Sequence, residues 1–432
     1  MLSKLDLNTE FKTALDKLEH SQDSLFITGK AGTGKSTLLQ YFKTHTQKRV
    51  VVLAPTGVSA LNVQGETIHS FFKFKINVTP ESAAKQGAKI KNTDFLEMID
   101  TIVIDEVSML RADMLDCIDQ YLQAALADKR PFAAKQMVFI GDLYQLPPVV
   151  THSDRDYISD RYDSPFFFSG DACKHLSLSQ IHLEKIYRQQ DPDFIQILNE
   201  IRQGSISPLQ LASLNQSVVN STTPVTADYI WLCSTNAQAD KRNQEALAQL
   251  HTKEQVFEAE SSGRFDEKRF PTEPELKLKV GAKVMFLNND SDDRWVNGSI
   301  GEISQIDTQE TSMQVILQNG QQVTVEPHKW ELYRYTYDAE TKKIEQEKMG
   351  DFRQFPLKLA WAMTIHKSQG KTFEKVYIDF GYGTFASGQA YVALSRCCSL
   401  AGLRLKQPLT LSHLRVDTRV QKWLTREKMQ VS

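Results

Sequence analysis

Eight consecutive residues, Gly29-Lys30-Ala31-Gly32-Thr33-Gly34-Lys35-Ser36, carry the pattern G-x-x-x-x-G-K-[ST] in full. Such a loop turns backbone N–H groups towards phosphate oxygens at a helix N-terminus that already favours anions. The ligand this implies is ATP with Mg²⁺. Lys35 would reach the β- and γ-phosphates and Ser36 the metal ion, with Gly32, Thr33, Gly34 and Thr37 completing the cradle. The apolar run 25–28 before the loop and the helical run 37–42 after it supply the strand–loop–helix context the motif requires.

More of the same chemistry follows along the chain. Asp105-Glu106 ends the apolar run 101–104, and the carboxyl end of a strand is where open α/β sheets bind ligands. Asp105 is expected in the magnesium shell and Glu106 beside the attacking water. Alone, such a pair is more often a solvated turn; after a phosphate loop and another strand it reads as catalytic. Gln145, in Gly141-Asp142-Leu143-Tyr144-Gln145, follows the next apolar run and either senses the γ-phosphate or simply packs. Arg188 and Arg396 lie far downstream, and most arginines are solvated surface residues. Here they are candidates to stabilise the charge that builds on the γ-phosphate. A small-molecule P-loop kinase has no use for Gln145, the two arginines or a second lobe.

The elements that must position these residues alternate. The runs 25–28, 50–54, 101–104 and 137–140 are rich in β-branched residues and lack period-2 polarity, as strands buried on both faces of a parallel sheet do. Helical stretches such as 112–127 separate them, which makes the first 175 residues one α/β lobe. A second α/β pattern begins near Leu176, with strands expected at 230–233 and 376–379 and helices at 193–202, 238–250 and 388–396. Between 281 and 355 the texture turns to period-2 alternation, and Asn319-Gly320 between 313–317 and 323–325 is a hairpin signal. The stretch 258–274 reads as a surface loop.

Length and composition set outer bounds. A chain of 432 residues exceeds what one core usually serves, so two or three domains are expected. The formal net charge of −2 excludes a generally basic surface, so a nucleic-acid partner must meet a local groove. Five scattered cysteines show neither zinc spacing nor a disulfide framework, which points to a reducing compartment. No apolar run approaches the span of a bilayer, and residues 1–20 do not resemble a signal peptide.

Taken together, the segments resemble the Pif-type family of superfamily-one DNA helicases, in the branch that includes RecD-like enzymes. The resemblance runs through residues 29–37, Ala54-Pro55-Thr56-Gly57-Val58-Ser59-Ala60, Thr67-Ile68-His69-Ser70-Phe71-Phe72, residues 104–109, Pro131-Phe132-Ala133-Ala134-Lys135-Gln136 and residues 145–149. It continues through 183–189, 276–285, 357–370 and 388–396. Any one is modest evidence; their fixed order is specific.

The resemblance implies a motor moving 5′-to-3′ on single-stranded DNA and separating duplex, forked or structured DNA. It implies two RecA-like P-loop α/β lobes with parallel sheets, ATP in the cleft between them, and a small β-rich SH3-like insertion in the second lobe. The boundaries are 1–175 for the first lobe, with a wedge insertion at 65–80, then 176–280 and 356–432 for the second, interrupted by the insertion at 281–355. It adds Gly370 to the nucleotide site. It implies a core with little attached, monomeric in isolation, working in the cytoplasm or nucleoid of a bacterium or in a nucleus or mitochondrion. One departure stands out: the family reads Leu-x-x-Glu-Gln before its first helix, with the glutamine on adenine, whereas Phe11 follows Leu7-Asn8-Thr9-Glu10 here.

For the DNA track the candidates are Pro55, Thr56, Gly57, Ser59, His69, Ser70 and Phe72 in the first lobe, and Asn236, Thr364, His366, Lys367 and Ser368 in the second. Hydroxyl and amide donors hold a phosphate without tying it down, and aromatic rings stack on bases. Ser, Thr and Asn equally serve as N-caps and turns. Phe71-Phe72-Lys73-Phe74 is either a wedge or stacking platform, or a satellite core. His366 has no second ligand at metal spacing. A nucleotide-controlled clamp that grips DNA without unwinding it is the competing function; the full hydrolytic set argues against it.

Overall fold

The computed structural model describes residues 8–75, 77–189, 191–219, 228–263, 270–338 and 343–431. Leu7, Ile76 in the expected wedge, and 264–269 in the expected surface loop lie outside the described residues. The chain divides into two compact units.

The first unit comprises the chain up to Arg188, together with Tyr333–Glu347 and Val416–Ser432. Its sheet is built from β1 (Ser24–Gly29), β2 (Val50–Ala54), β3 (Glu66–Thr67), β4 (Thr101–Ile104), β5 (Gln136–Gly141) and β6 (Leu178–Leu183), in the order β3-β2-β4-β5-β1-β6. Every pairing is parallel. β1, β4 and β5 are buried along their whole length, which is why their sequences show no alternation. Because these three strands are neighbours and point the same way, the segments that leave their carboxyl ends meet at one edge of the sheet.

Helix Thr9–His20 buries Phe11, Ala14 and Leu18, an i, i+3, i+7 stripe, and the Asn8 side chain caps it by accepting from the Phe11 N–H at 2.8 Å. Helix Ala112–Leu126 carries buried aspartates. Asp116 accepts from the Tyr162 hydroxyl and the Ala172 N–H, while Asp119 accepts from the Phe132 N–H at 2.6 Å. That last bond anchors Phe132, Ala133 and Ala134, all held in the left-handed region at φ near +51 to +58.

Two boundaries differ from those expected. β6, expected in the second lobe, adds to the first sheet beside β1. Helix Thr418–Val431, also expected in the second lobe, groups with the first unit. There Trp423 stacks on Phe168 (4.8 Å, 9°) and tilts against Phe26 and Phe167. Val420 and Leu424 are buried in the same core, so the helix docks an i, i+3, i+4 stripe whose spacing marks a helix but not the lobe it packs against.

The second unit, Gln189–Leu332 with Lys348–Arg415, opens with helices Pro192–Gln203 and Pro208–Asn215, followed by β7 (Ile230–Cys233). β8 (Gln255–Glu258) runs up to the expected loop, the loop itself contributes β9 (Glu260–Gly263), and β10 (Glu275–Leu278) pairs with β8. β11 (Lys283–Phe286), β12 (Ile300–Asp307), β13 (Ser312–Leu317) and β14 (Gln322–Val325) follow. Next come β15 (His328–Asp338) and β16 (Lys343–Gln354), in one sheet with β9, with residues Tyr333–Glu347 counted in the first unit.

β17 (Leu357–Leu359) completes the antiparallel sheet β14-β13-β12-β11-β17, so the β-rich part extends past residue 355. The hairpin at Asn319-Gly320 forms as expected: Met313 pairs with Val325 and Val315 with Val323, and Gly320 adopts φ +83. Finally β18 (Ala362–Thr364), β19 (Val376–Asp379) and β20 (Leu403–Leu405) join β7 in a parallel sheet ordered β18-β7-β19-β20.

Trp423→Ala is expected to destabilise the first unit by about 2–4 kcal/mol, as loss of a large, partly buried aromatic does. Thermal unfolding followed by near-ultraviolet circular dichroism measures it.

Candidate functional site

The phosphate loop leaves β1 and enters helix Lys35–His45. Gly32 and Gly34 stand at φ +82 and +87, where an L side chain is strained, so the backbone itself can face a ligand. The Lys35 ammonium donates to the carbonyls of Gly29 (2.8 Å) and Lys30 (3.0 Å), strapping the loop from within. The buried Thr33 hydroxyl donates to the Lys30 carbonyl, while Ser36 and Thr37 are exposed on the first turn of the helix.

β4 delivers Asp105 and Glu106 to the same edge. Asp105 is 7% exposed, and burial together with the neighbouring Glu106 carboxylate pushes its carboxyl up to about 7, opposed by Lys35. Glu106 takes the left-handed region at φ +50, a strained conformation for a non-glycine residue that its surroundings must hold in place. Two carboxylates and the exposed Ser36 hydroxyl form an all-oxygen donor set that suits Mg²⁺, and a dication would relieve the repulsion between the carboxylates. β5 delivers Gly141-Asp142 and, in the following turn, the buried Gln145, whose N–H donates to the Asp142 carbonyl at 2.9 Å.

Tertiary structure adds the segment after β6. The Tyr187 N–H donates to the Gly32 carbonyl (2.9 Å), and a Cβ on Gly32 would overlap the Cβ of Arg188. Arg188 therefore lies directly over the phosphate loop. Phe11 is buried, with its ring 3.0 Å from where a Cβ on Gly34 would stand, and Tyr187 is on the same side at 3.9 Å. The position that would carry the adenine-reading glutamine thus packs against the phosphate loop as core. Glu10 beside it accepts from the Glu184 N–H at 2.8 Å.

The other expected arginine is placed differently. Arg396 is 1% exposed in the second unit, and its guanidinium donates to the carbonyls of Ser368, Lys371 and Val392 and to the Ser395 hydroxyl. In this structure it ties the 368–371 turn to helix Gln389–Leu394. Gly370 sits in that turn at φ +79, exposed.

The DNA candidates divide in the same way. In the first unit Thr56 is the N-cap of helix Gly57–Asn62, accepting from the Ser59 N–H, with its hydroxyl 2.8 Å from that of Ser59. Ser70 donates to Glu66 at 2.6 Å. Pro55, Gly57 and Ser59 remain partly exposed, as does His69, whose burial lowers its pKa. Phe72 is corrected. It is 1% exposed, stacks on Phe74 (5.2 Å) and meets Tyr121 edge-on, so the satellite-core alternative holds for this ring. In the second unit Asn236 and Lys367 are exposed and His366 is partly exposed. Ser368 is fully buried and donates to the Ile365 carbonyl, and the buried Thr364 hydroxyl accepts from the Lys367 N–H. These two hydroxyls shape the loop from inside.

Sequence reasoning missed the flat surface beside His366. Phe385 stacks on its ring at 5.7 Å and 7° and is 60% exposed, and Tyr382 is fully exposed nearby in the chain. The only advance signal was three aromatics, Phe380, Tyr382 and Phe385, interleaved with Gly381 and Gly383.

Known proteins resemble this chain in sequence and fold. A PIF1-like helicase family model matches residues 6–212. The ATP-dependent DNA helicase Pif1 of Bdellovibrio bacteriovorus is 33% identical over 413 residues, covering 93% of this chain and 88% of that protein. The chain belongs to the PIF1-like helicase family. A crystal structure of Pif1 from a Bacteroides species in complex with ADP-AlF4 matches this PIF1-like helicase with a TM-score of 0.92 at 34% identity, covering 99% of this chain and 98% of that one. A structure of Bacteroides Pif1 in complex with ADP-AlF3 and single-stranded DNA matches at 33% identity and a TM-score of 0.69, with the same coverage.

Gly32→Ala is expected to weaken binding of a fluorescent ADP analogue by about tenfold or more, since the added methyl must displace Arg188 from a strained backbone. Phe72→Ala should cost about 3–5 kcal/mol of stability, read by chemical denaturation, while DNA affinity of the folded protein stays within about twofold.

Proposed function

We propose that this chain is an ATP-dependent DNA helicase that moves 5′-to-3′ along single-stranded DNA and opens duplex, forked or structured DNA ahead. The observation that carries the proposal is the gathering of the phosphate loop, Asp105-Glu106, Gln145 and Arg188 at one sheet edge. It occurs in a family whose relatives are named ATP-dependent DNA helicases. Lys35 and the loop amides hold the β- and γ-phosphates, and Gly32, Thr33, Gly34 and Thr37 shape the cradle. Ser36 and Asp105 hold Mg²⁺, which supplies charge neutralisation on the phosphates. Glu106 orients and deprotonates water, Gln145 senses the γ-phosphate, and Arg188 stabilises the charge that develops there. With Phe11 committed to packing, the half-exposed Tyr187 offers a stacking face for the base.

On the DNA side we assign contacts to Pro55, Gly57, Ser59 and His69 in the first unit and to Asn236, His366 and Lys367 in the second, with Phe385 as the stacking face. We assign the segment 65–80 to strand separation, through the exposed Lys73 and Lys75 rather than the Phe72 ring. The antiparallel sheet around 281–359 is the SH3-like accessory element. Among the described residues no helix is long and apolar enough to cross a membrane. The protein's place in the cell is with DNA, in a bacterial nucleoid or in a nucleus or mitochondrion.

Strand displacement on two matched duplexes tests the function: the 5′-tailed duplex is expected to open with ATP and the 3′-tailed one to stay closed. DNA-stimulated hydrolysis without displacement on either would leave a clamp or translocase. Glu106→Gln should slow multiple-turnover hydrolysis by about 10²–10⁴-fold while nucleotide still binds.

A further inference from the structure

A cavity of about 740 Å³ lies in the first unit, at the amino end of its parallel sheet. Leu178 and Ser179, at the start of β6, form part of its wall, and Leu178 pairs with Ser24 at the start of β1. The phosphate loop leaves the other end of β1, roughly 16 Å away along the 6 residues of that strand. The cavity is therefore separate from the nucleotide site.

One side of the cavity is cationic. Arg419, Lys422 and Arg426 stand at i, i+3 and i+7 on helix Thr418–Val431, so their charges share one helix face. Lys174 adds a further charge from helix Asp171–Lys174. Asp417 holds Arg419 at 2.6 Å and Asp171 holds Lys174 at 2.9 Å. Lys422 and Arg426 are exposed and, among the described residues, form no ion pair. Against these cations the lining sets the carboxylate of Asp163. The net effect is a positive focus in a chain whose formal charge is −2.

The rest of the wall indicates what kind of anion fits. Phe168 stacks on both Trp423 (4.8 Å) and Phe166 (5.3 Å), so these ring faces are spent on one another and offer no platform for a base. Ring edges and Leu178 suit an aliphatic side chain instead. β6 is the last strand of its sheet and, among the described residues, pairs with β1 alone. Its other edge can take an added strand, as sheet edges that bind extended peptides do.

We propose that this cavity docks an acidic peptide segment of a partner protein, laid in extended form along the open edge of β6. Carboxylate side chains meet Arg419, Lys422 and Arg426, where a guanidinium can hold a carboxylate at two points. An aliphatic residue between them fits against Phe168 and Trp423, and the peptide backbone bonds to β6. The inference is independent of the helicase reading. Its position at the far end of the sheet lets a partner stay bound while the phosphate-loop edge remains open.

Fluorescence anisotropy with a labelled peptide of alternating aspartate and valine tests the site, with the same peptide carrying lysine for aspartate as control. Wild-type protein should bind the acidic peptide, more weakly as salt rises, and leave the lysine peptide unbound. The double variant Lys422→Glu with Arg426→Glu should raise the dissociation constant about tenfold or more, since attraction becomes repulsion. It should unfold within about 2 °C of wild type, because both residues are exposed. Cys173 lines the cavity, so saturating peptide should slow its alkylation by iodoacetamide about threefold or more, while Cys398 in the second unit reacts as before. No binding by wild type up to about 1 mM peptide, or equal binding by the double variant, would overturn the proposal. So would displacement of the peptide by oligothymidylate together with an equal loss of DNA affinity in the double variant, which would assign the cavity to nucleic acid.

Discussion

The first unit is organised around the close approach of bare backbone to phosphate. Gly32 and Gly34 hold left-handed conformations that leave no side chain on the ligand-facing surface, and the space a Cβ would need at Gly32 is occupied by Arg188. Three adjacent parallel strands supply the platform, and their carboxyl ends bring the loop, the carboxylate pair and the Gly141-Asp142 turn together. The Tyr187 N–H on the Gly32 carbonyl then fixes the segment after β6 against the loop. A parallel sheet permits this because every strand ends on the same side, so residues far apart in the chain need no further guidance to meet.

The phosphate loop is matched by an electrostatic device. Asp105 and Glu106 crowd negative charge beside it. Such a pair is costly in the free protein, and a dication would relieve it. The near-zero net charge of the chain conceals this focus. Composition averages over the surface, whereas recognition depends on charge held at a few enclosed points.

Several residues that look functional in the sequence also build the frame. Thr56 caps a helix, Ser368 and Thr364 bond within their own loop, Phe72 fills a core, and Arg396 spends its guanidinium on backbone carbonyls. A hydroxyl that caps a helix and one that holds a phosphate have the same sequence signature, because both offer the same donor and acceptor. An arginine likewise reads the same whether it faces a ligand or a buried turn. Only the burial of each group tells them apart.

The sequence by itself determined the phosphate loop, the acidic pair after β4, the buried parallel strands and the Asn319-Gly320 hairpin, because each is a short-range pattern with one physical solution. It also carried the family, through the order of its segments. Tertiary structure alone decided that β6 and the helix around Trp423 belong to the first unit, and that Arg188 lies over Gly32 while Arg396 is buried. Those outcomes depend on which distant side chains share a packed space, and spacing along a chain does not encode the distance between residues that only folding brings together.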